Sequence, residues 1–208
     1  FGTRVAFKSV IATRAAALLA WAAADEGDRV GGLVFDESRH FERRPVARTQ
    51  GLLPLLKAMS EAPLPGEAGG HPSLGAAAQH LLQLVRPGSL VFMISDFAGL
   101  RQHDTAWLGQ LARGNEIVLA HVYDPLEASA PPPGRYPVSD GWRSGVLDTT
   151  VNALRQGWAQ RFAAHQGLLK DLARHHRAHL LELPTDQPVG QALQQGLQPR
   201  RPARGGMR

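Results

Sequence analysis

Residues 89–97 read Ser-Leu-Val-Phe-Met-Ile-Ser-Asp-Phe, an apolar run that Pro87 and Gly88 introduce and that stops at Ser95 and Asp96. An unbroken apolar run this short predicts a strand that is buried on both faces, as parallel strands of α/β proteins are. Ligands of open α/β sheets bind beyond the carboxyl ends of the strands. Ser95 and Asp96 would therefore offer oxygen ligands to a hard cation there, unless Asp96 only caps the turn or helix that follows.

Helix and strand patterns alternate on both sides of this run. Helices are predicted over residues 8–24, 52–59, 74–85, 107–111, 151–174 and 189–197, and strands over residues 29–35, 40–46, 116–123 and 179–183. Two further strands, residues 135–139 and 142–148, flank Asp140-Gly141, which is a strong hairpin signal. The alternation predicts an α/β fold in which helices flank a mostly parallel sheet with an inserted β-hairpin. The first helix is apolar on nearly all sides, and we expect it to be buried.

The composition favours one globular domain. The chain has 208 residues, of which 43% are hydrophobic and 20% charged, enough to build one core. It has no cysteine, so disulfides and thiolate metal sites are excluded, and a cytoplasmic location is expected. The longest apolar run, residues 15–24, is shorter than the roughly 20 residues that cross a bilayer.

The positive charge is concentrated at the end of the chain. The formal net charge is +5, but four arginines lie in the last nine residues: Arg200, Arg201, Arg204 and Arg208. Residues 199–208 show no apolar periodicity and are predicted to form a disordered basic tail after a domain spanning residues 1–198. We therefore expect no nucleic-acid partner, and membrane association stays open.

Acids also follow two other predicted strands. Asp36 ends the strand of residues 29–35, and Asp124 ends the strand of residues 116–123. With Ser95 they are candidates for the rim of a binding crevice, although acids in such positions also cap turns and helices. The chain lacks phosphate-loop, dinucleotide-binding, nucleophile-elbow and His-Glu-x-x-His motifs, which weakens an enzymatic interpretation. The nine histidines are scattered, and His175 and His176 are expected to point to different helix faces.

Several blocks in order resemble one family: Phe1-Gly-Thr-Arg, Gly27-Asp-Arg-Val-Gly-Gly-Leu-Val-Phe, Arg86-Pro-Gly-Ser-Leu-Val-Phe-Met-Ile-Ser-Asp-Phe and Val122-Tyr-Asp-Pro-Leu-Glu. The chain is similar to the bacterial domain-of-unknown-function family fifty-eight, whose members contain a von Willebrand factor A-like domain. The resemblance runs to about residue 197. It implies a protein-binding or adaptor function without catalysis, and a MoxR-type AAA+ ATPase as partner.

The resemblance also implies a metal-dependent adhesion site for Mg²⁺ or Mn²⁺. Such a site takes ligands from Asp-x-Ser-x-Ser after the first strand, from a threonine in a second loop and from a later aspartate. Asp96 matches the last position, and Ser73 offers the hydroxyl nearest to the second, where Pro72 stands near the expected threonine. The first strand and its Asp-x-Ser-x-Ser loop are expected ahead of Phe1, and Asp36-x-Ser38-x-His40 follows the wrong strand.

The intact protein is thus expected to use Mg²⁺ or Mn²⁺, and this chain to bind the ion weakly or not at all, because a hard cation wants six or more oxygens. Two alternatives stay open. One is a metal-dependent hydrolase that uses Asp96 and Asp124 on a doubly wound sheet. The other is a scaffold that binds no metal.

Overall fold

The computed structural model describes residues 5–35, 40–47, 52–61, 74–101, 105–139 and 144–198. In chain order the elements are α1 (Lys8–Asp25), β1 (Arg29–Phe35), β2 (His40–Ala47), α2 (Leu52–Ser60), α3 (Leu74–Leu84), β3 (Leu90–Ser95), α4 (Ala106–Leu111), β4 (Glu116–Tyr123), α5 (Pro125–Ala128), β5 (Arg135–Ser139), β6 (Ser144–Asp148), α6 (Asn152–His175), β7 (His179–Pro184) and α7 (Val189–Leu197). The predicted tail, residues 199–208, lies outside the described residues.

A three-stranded parallel sheet, ordered β3-β4-β7, forms the centre of the molecule. β4 is its middle strand, and its residues Ile117–Val122 are all buried. Ile117 and Leu119 pack toward α3, α4 and α6, whereas the alternate residues Val118, Ala120 and Val122 pack toward α1 and α7. The sequence predicted this two-sided burial, and the sheet flanked by helices confirms the α/β class.

The remaining strands form two antiparallel hairpins. β1 pairs with β2, and β5 pairs with β6. The sequence predicted one mostly parallel sheet, but among the described residues β1 does not hydrogen bond to β3, so the strands divide into three sheets. The β1–β2 hairpin is held instead by its own small cluster, in which Ala20, Val30 and Leu52 are buried. Its apolar face packs on α1 and α2 and does not need the central sheet.

The predicted boundaries agree closely with the structure. β1, β4, β5 and α7 match residue for residue, and the other predicted elements differ by a few residues at their ends. The predicted burial of α1 was wrong in part. Only Ile11, Ala15 and Ala20 are buried, while Leu18 and Trp21 are exposed, because the sheet and α7 do not cover the whole surface of the helix. Within the described ranges, no helix combines the length and apolarity that crossing a membrane requires.

The pairing of β1 with β2 depends on Gly31, which lies where the register shifts between Val30 and Gly32. A Cβ at residue 31 would lie 2.7 Å from the carbonyl oxygen of Arg43 and 2.7 Å from the nitrogen of Pro45. Both neighbours are backbone atoms, which cannot rotate away. We expect Gly31→Ala to lower the free energy of unfolding by about 1–3 kcal/mol, as overpacking does, in urea titrations followed by circular dichroism.

The control for this substitution is Gly145→Ala in β6, where a Cβ would meet no atom within 4 Å. It removes the same backbone freedom from the unfolded chain and should leave stability unchanged or slightly raised. Equal losses in the two variants would show that the close approach at Gly31 does not constrain the hairpin.

Candidate functional site at the carboxyl edge of the parallel sheet

The turn after β3 is fixed by its own side chains. The Ser95 hydroxyl oxygen accepts a hydrogen bond from the Phe97 amide at 3.0 Å, and Asp96 Oδ1 accepts one from the Ala98 amide at 3.1 Å. Phe97 has a φ of 52°, in the left-handed region that non-glycine residues rarely adopt, and its ring is buried. The two polar side chains thus hold a strained turn that leaves Asp96 Oδ2 directed at the end of the sheet.

Asp96 Oδ2 meets Lys8 from the first turn of α1. Lys8 Nζ donates to Asp96 Oδ2 at 2.7 Å and to Glu127 Oε1 at 2.7 Å. The Lys8 side chain is 16% exposed, against 35% for Asp96 and 27% for Glu127. One ammonium therefore links α1 to the turn after β3 and to α5, which follows β4. We call Lys8, Asp96 and Glu127 the edge triad.

The charges of the edge triad stabilise one another. Burial alone would lower the pKa of Lys8, but the attraction and hydrogen bonds of Asp96 and Glu127 outweigh it, so this pKa is raised. Burial alone would raise the pKa of Asp96, but the Lys8 charge and hydrogen bonds from Lys8 and the Ala98 amide outweigh it, so this pKa is lowered. Both groups are thus held in their charged forms.

Asp124 at the end of β4 serves as a helix cap. Its Oδ1 accepts from the Leu126 amide at 2.9 Å, and Glu127 Oε2 accepts from the Asp124 amide at 3.4 Å, which completes a capping box on α5. Its Oδ2 accepts from the Thr185 hydroxyl after β7 at 2.9 Å. Asp124 is 1% exposed. It therefore lies beneath the edge, where it ties together the ends of β4 and β7, and not on an open rim.

Two histidines lie behind the edge triad. His165 of α6 has Nε2 at 3.0 Å from the Asp96 carbonyl oxygen; because a carbonyl only accepts, Nε2 carries the proton. His121 of β4 is 2% exposed and has ring contacts with His165, Phe162 and Tyr123. Burial and then the charge of His165 lower the pKa of His121 to about 4. His121 is therefore a core residue.

The predicted site residues are only partly brought together. Ser95 and Asp96 share one turn, and Asp124 lies at the neighbouring strand end. Ser73 and Asp36, the proposed second ligand and a rim residue, lie outside the described residues. Sequence reasoning missed Lys8 and Glu127. A usable signal for Lys8 was present, because it is one of only three lysines and lies in an apolar helix.

Among the described residues, the carboxylates near Asp96 are poorly arranged to bind a divalent cation. Both Asp96 oxygens accept from protein donors, and so do both oxygens of Glu127 and of Asp124. The cation that Asp96 contacts is the Lys8 ammonium. A metal ion at Asp96 Oδ2 would compete with that ammonium for the carboxylate.

Comparison with known protein families identifies the family of this chain. The chain belongs to the family described as protein of unknown function DUF58, whose sequence profile matches residues 1–167. This confirms the family predicted from the sequence blocks. No curated protein is significantly similar to the chain.

Two solved structures resemble this DUF58 chain. The conserved hypothetical protein BatB from Bacteroides thetaiotaomicron superimposes with a TM-score of 0.56 at 16% identity, covering 90% of this chain and 84% of that one. An aerotolerance-related membrane protein from Bacteroides fragilis NCTC 9343, with multiple mutations to serines, gives a TM-score of 0.46 at 17% identity, over 80% of this chain and 88% of that one. The likeness to BatB concerns the fold alone.

Removing the cation of the edge triad should destabilise the protein. Lys8→Met leaves Asp96 and Glu127 as half-buried carboxylates without their shared ammonium, which should cost about 1–3 kcal/mol of unfolding free energy after allowance for partial exposure. Lys57→Met is the control, because Lys57 is 73% exposed and its ion pair with Glu61 spans 3.8 Å; it should change stability by less than about 0.5 kcal/mol. Chemical denaturation at neutral pH measures both.

The pH dependence of this loss follows from the two shifted pKa values. The lowered pKa of Asp96 stabilises the fold above its ordinary value of 3.8, and this contribution disappears as the pH falls through the folded value. The raised pKa of Lys8 stabilises the fold below 10.5, and this contribution disappears as the pH rises through the folded value. A Lys8→Met effect that does not shrink at either extreme would contradict this account.

His121 should make the protein acid-sensitive. Its pKa falls from 6.5 to about 4 on folding, so its neutral form stabilises the fold above pH 6.5, and roughly 3 kcal/mol is lost as the pH drops toward 4. We expect His121→Phe, which keeps a ring in the aromatic cluster, to flatten the pH profile of stability between pH 6.5 and 4. Unchanged slopes for wild type and variant would disprove this role.

Proposed function

We propose that this chain is a non-catalytic protein-binding domain of von Willebrand factor A type, which receives its partner beside the carboxyl edge of the parallel sheet. The proposal rests mainly on one observation, an exposed apolar surface on α1 that begins at the edge triad.

The exposed surface of α1 is an apolar stripe. Phe7, Val10, Leu18 and Trp21 are 59%, 37%, 47% and 45% exposed, and their spacing places them on one helix face. Phe7 directly precedes Lys8 of the edge triad. Arg14 lies between Val10 and Leu18 on the same helix face and is exposed too, so the apolar side chains flank one arginine. Large apolar side chains exposed beside a polar group are typical of interaction surfaces. We call these four residues the α1 stripe.

A groove of about 580 Å³ lies beside the α1 stripe. It runs between α1 and the segment after β7, and its walls are mostly apolar: Val5, Ala6, Ile11, Ala17, Leu18, Pro188 and Val189. Thr185 lines the groove and also donates to the buried Asp124. The groove therefore adjoins the strand ends, and it has the size and lining to accept an apolar side chain of a partner.

We propose that this contact needs no metal ion and that the chain binds Mg²⁺ or Mn²⁺ weakly or not at all. In the family site the ion would bridge to a carboxylate of the partner. Here the Lys8 ammonium takes up Asp96, and the edge triad, with two carboxylates and one ammonium, has a net negative charge. Such an edge favours a neutral or basic partner group over an acidic one.

The von Willebrand factor A assignment is supported by the free strand edges. Among the described residues, β3 pairs only with β4 and β1 only with β2, so each strand has one edge without a ladder. A further strand between them, of the kind that the resemblance implies, would complete one sheet. Unpaired edges are otherwise a liability for a folded protein.

The alternative of a metal-dependent hydrolase is less well supported. It needs Asp96 and Asp124 to act on water or on a metal ion, yet protein donors occupy both, and Asp124 is buried as a helix cap. A scaffold that binds no metal differs from our proposal only in lacking a partner at the α1 stripe. The binding experiment below therefore separates these two.

The partner that the resemblance implies is a MoxR-type AAA+ ATPase. We expect the purified domain to bind a MoxR-type ATPase, and Leu18→Glu to weaken this binding at least about tenfold, because a charge placed in an apolar contact must be desolvated. Val146→Glu on β6 is the control, since Val146 is also apolar and is 62% exposed. Surface plasmon resonance with each folded variant gives the affinities.

Equal weakening by Leu18→Glu and Val146→Glu would place the contact elsewhere. If the wild-type domain does not bind the ATPase at micromolar concentrations, the proposed partner is wrong and the alternative of a scaffold that binds no metal is favoured.

A further inference from the structure

A second group of side chains with ligand chemistry lies away from the edge triad. His40 and Glu42 lie two residues apart on β2, so both project from the same face of the strand. His80 of α3 faces them: the His40 and His80 ring centroids are 4.5 Å apart, and the rings are inclined by 31°. One ligand atom from each of the three residues lies within 4.8 Å of the others. We call these residues the β2–α3 cluster.

We propose that the β2–α3 cluster binds a divalent transition-metal ion, with Zn²⁺ as the first candidate, and that the ion cross-links β2 to α3. Two imidazoles and one carboxylate form a donor set that Zn²⁺ accepts, with a fourth position left for water. Imidazole also suits Cu²⁺ and Ni²⁺, whereas Mg²⁺ prefers oxygen ligands throughout. The chemistry is therefore opposite to that of the hard-cation site expected at Asp96.

The potential ligand atoms of the β2–α3 cluster have no other partner among the described residues. Within the described part of the chain, no hydrogen bond or ion pair engages His40, Glu42 or His80, and the recorded contact of the rings is with each other. His40 and Glu42 are exposed, so an ion from solvent can reach them. The contrast with Asp96 is direct, because there both carboxylate oxygens already accept from protein donors.

The separation of the ligand atoms is compatible with binding after small side-chain rotations. Zn²⁺ holds nitrogen and oxygen ligands at about 2.0–2.2 Å, which places pairs of ligand atoms closer together than 4.8 Å. Exposed side chains can make that adjustment by changing rotamer. Glu42 also supplies a negative charge, which offsets the cost of bringing a dication between two imidazoles.

The position of the cluster gives the ion a structural consequence. β2 belongs to the hairpin that is not hydrogen bonded to the central sheet in the described residues. α3 packs through Ala78, Leu74, Leu81 and Leu82 into the core beneath β3 and β4. An ion held by β2 and α3 would therefore join the hairpin to the body of the molecule, where apolar contacts are otherwise the main connection.

The test is Zn²⁺ titration of the tag-free protein by isothermal calorimetry. We expect one Zn²⁺ per chain in wild type, affinity lowered at least about tenfold in His80→Ala and in the isosteric Glu42→Gln, and no heat from Mg²⁺. The matched control is His175→Ala/His176→Ala. The sequence predicted His175 and His176 on different helix faces, but their ring centroids lie 4.7 Å apart. Among the described residues, no carboxylate completes a third ligand for this pair.

Unchanged affinity in both His80→Ala and Glu42→Gln, with each folded by circular dichroism, would overturn the site. So would loss of binding in His175→Ala/His176→Ala, because the ion would then lie on α6. Absence of Zn²⁺ binding by the wild-type protein would also overturn the site.

The cross-link has a separate measurement in amide hydrogen exchange. Zn²⁺ should slow exchange in β2 and α3 of wild type and leave the rates in His80→Ala unchanged, because binding only to the folded, bridged form suppresses local opening. Binding with unchanged exchange in both elements would overturn the cross-link.

Discussion

The ion pair of Lys8 with Asp96 and Glu127 is the interaction on which the edge of the sheet depends. A half-buried ammonium is costly unless carboxylates surround it, and two half-buried carboxylates are costly unless they share a cation. Each partner comes from a different element, so satisfying these charges places α1, the β3 turn and α5 relative to one another. The position of the α1 stripe, and with it the groove beside α1, follows from that placement.

Acids at the ends of parallel strands are ambiguous by nature. The same carboxylate can coordinate a cation, cap a helix or pair with a lysine, and the spacing of residues along one strand does not decide between these roles. In this chain the outcome depends on donors from distant segments: Thr185 for Asp124, and Lys8 for Asp96. The edge is thereby organised as a set of satisfied charges.

The roles of the histidines also depend on the residues that the fold brings near them. His121 is enclosed by aromatic rings and stays neutral, so it contributes to packing. His40 and His80 are 40 residues apart in sequence, and their rings contact each other while no hydrogen bond from the described residues engages their nitrogens. Whether a histidine is structural or available for a ligand therefore depends on what else the fold brings to it.

Local pattern in the sequence predicted every element except the short helix α5, and with them the class of fold. The runs at 90–95 and 116–123 are short and mostly apolar, which is typical of strands covered on both faces. The polar partners were not predictable in this way, because Lys8 and Asp96 are 88 residues apart and Lys8 and Glu127 are 119 apart. The division of the strands into three sheets and the exposure of one face of α1 were likewise decided by tertiary packing. Periodicity reports which residues are apolar, but only the arrangement of distant segments determines which apolar faces are covered and which charges meet.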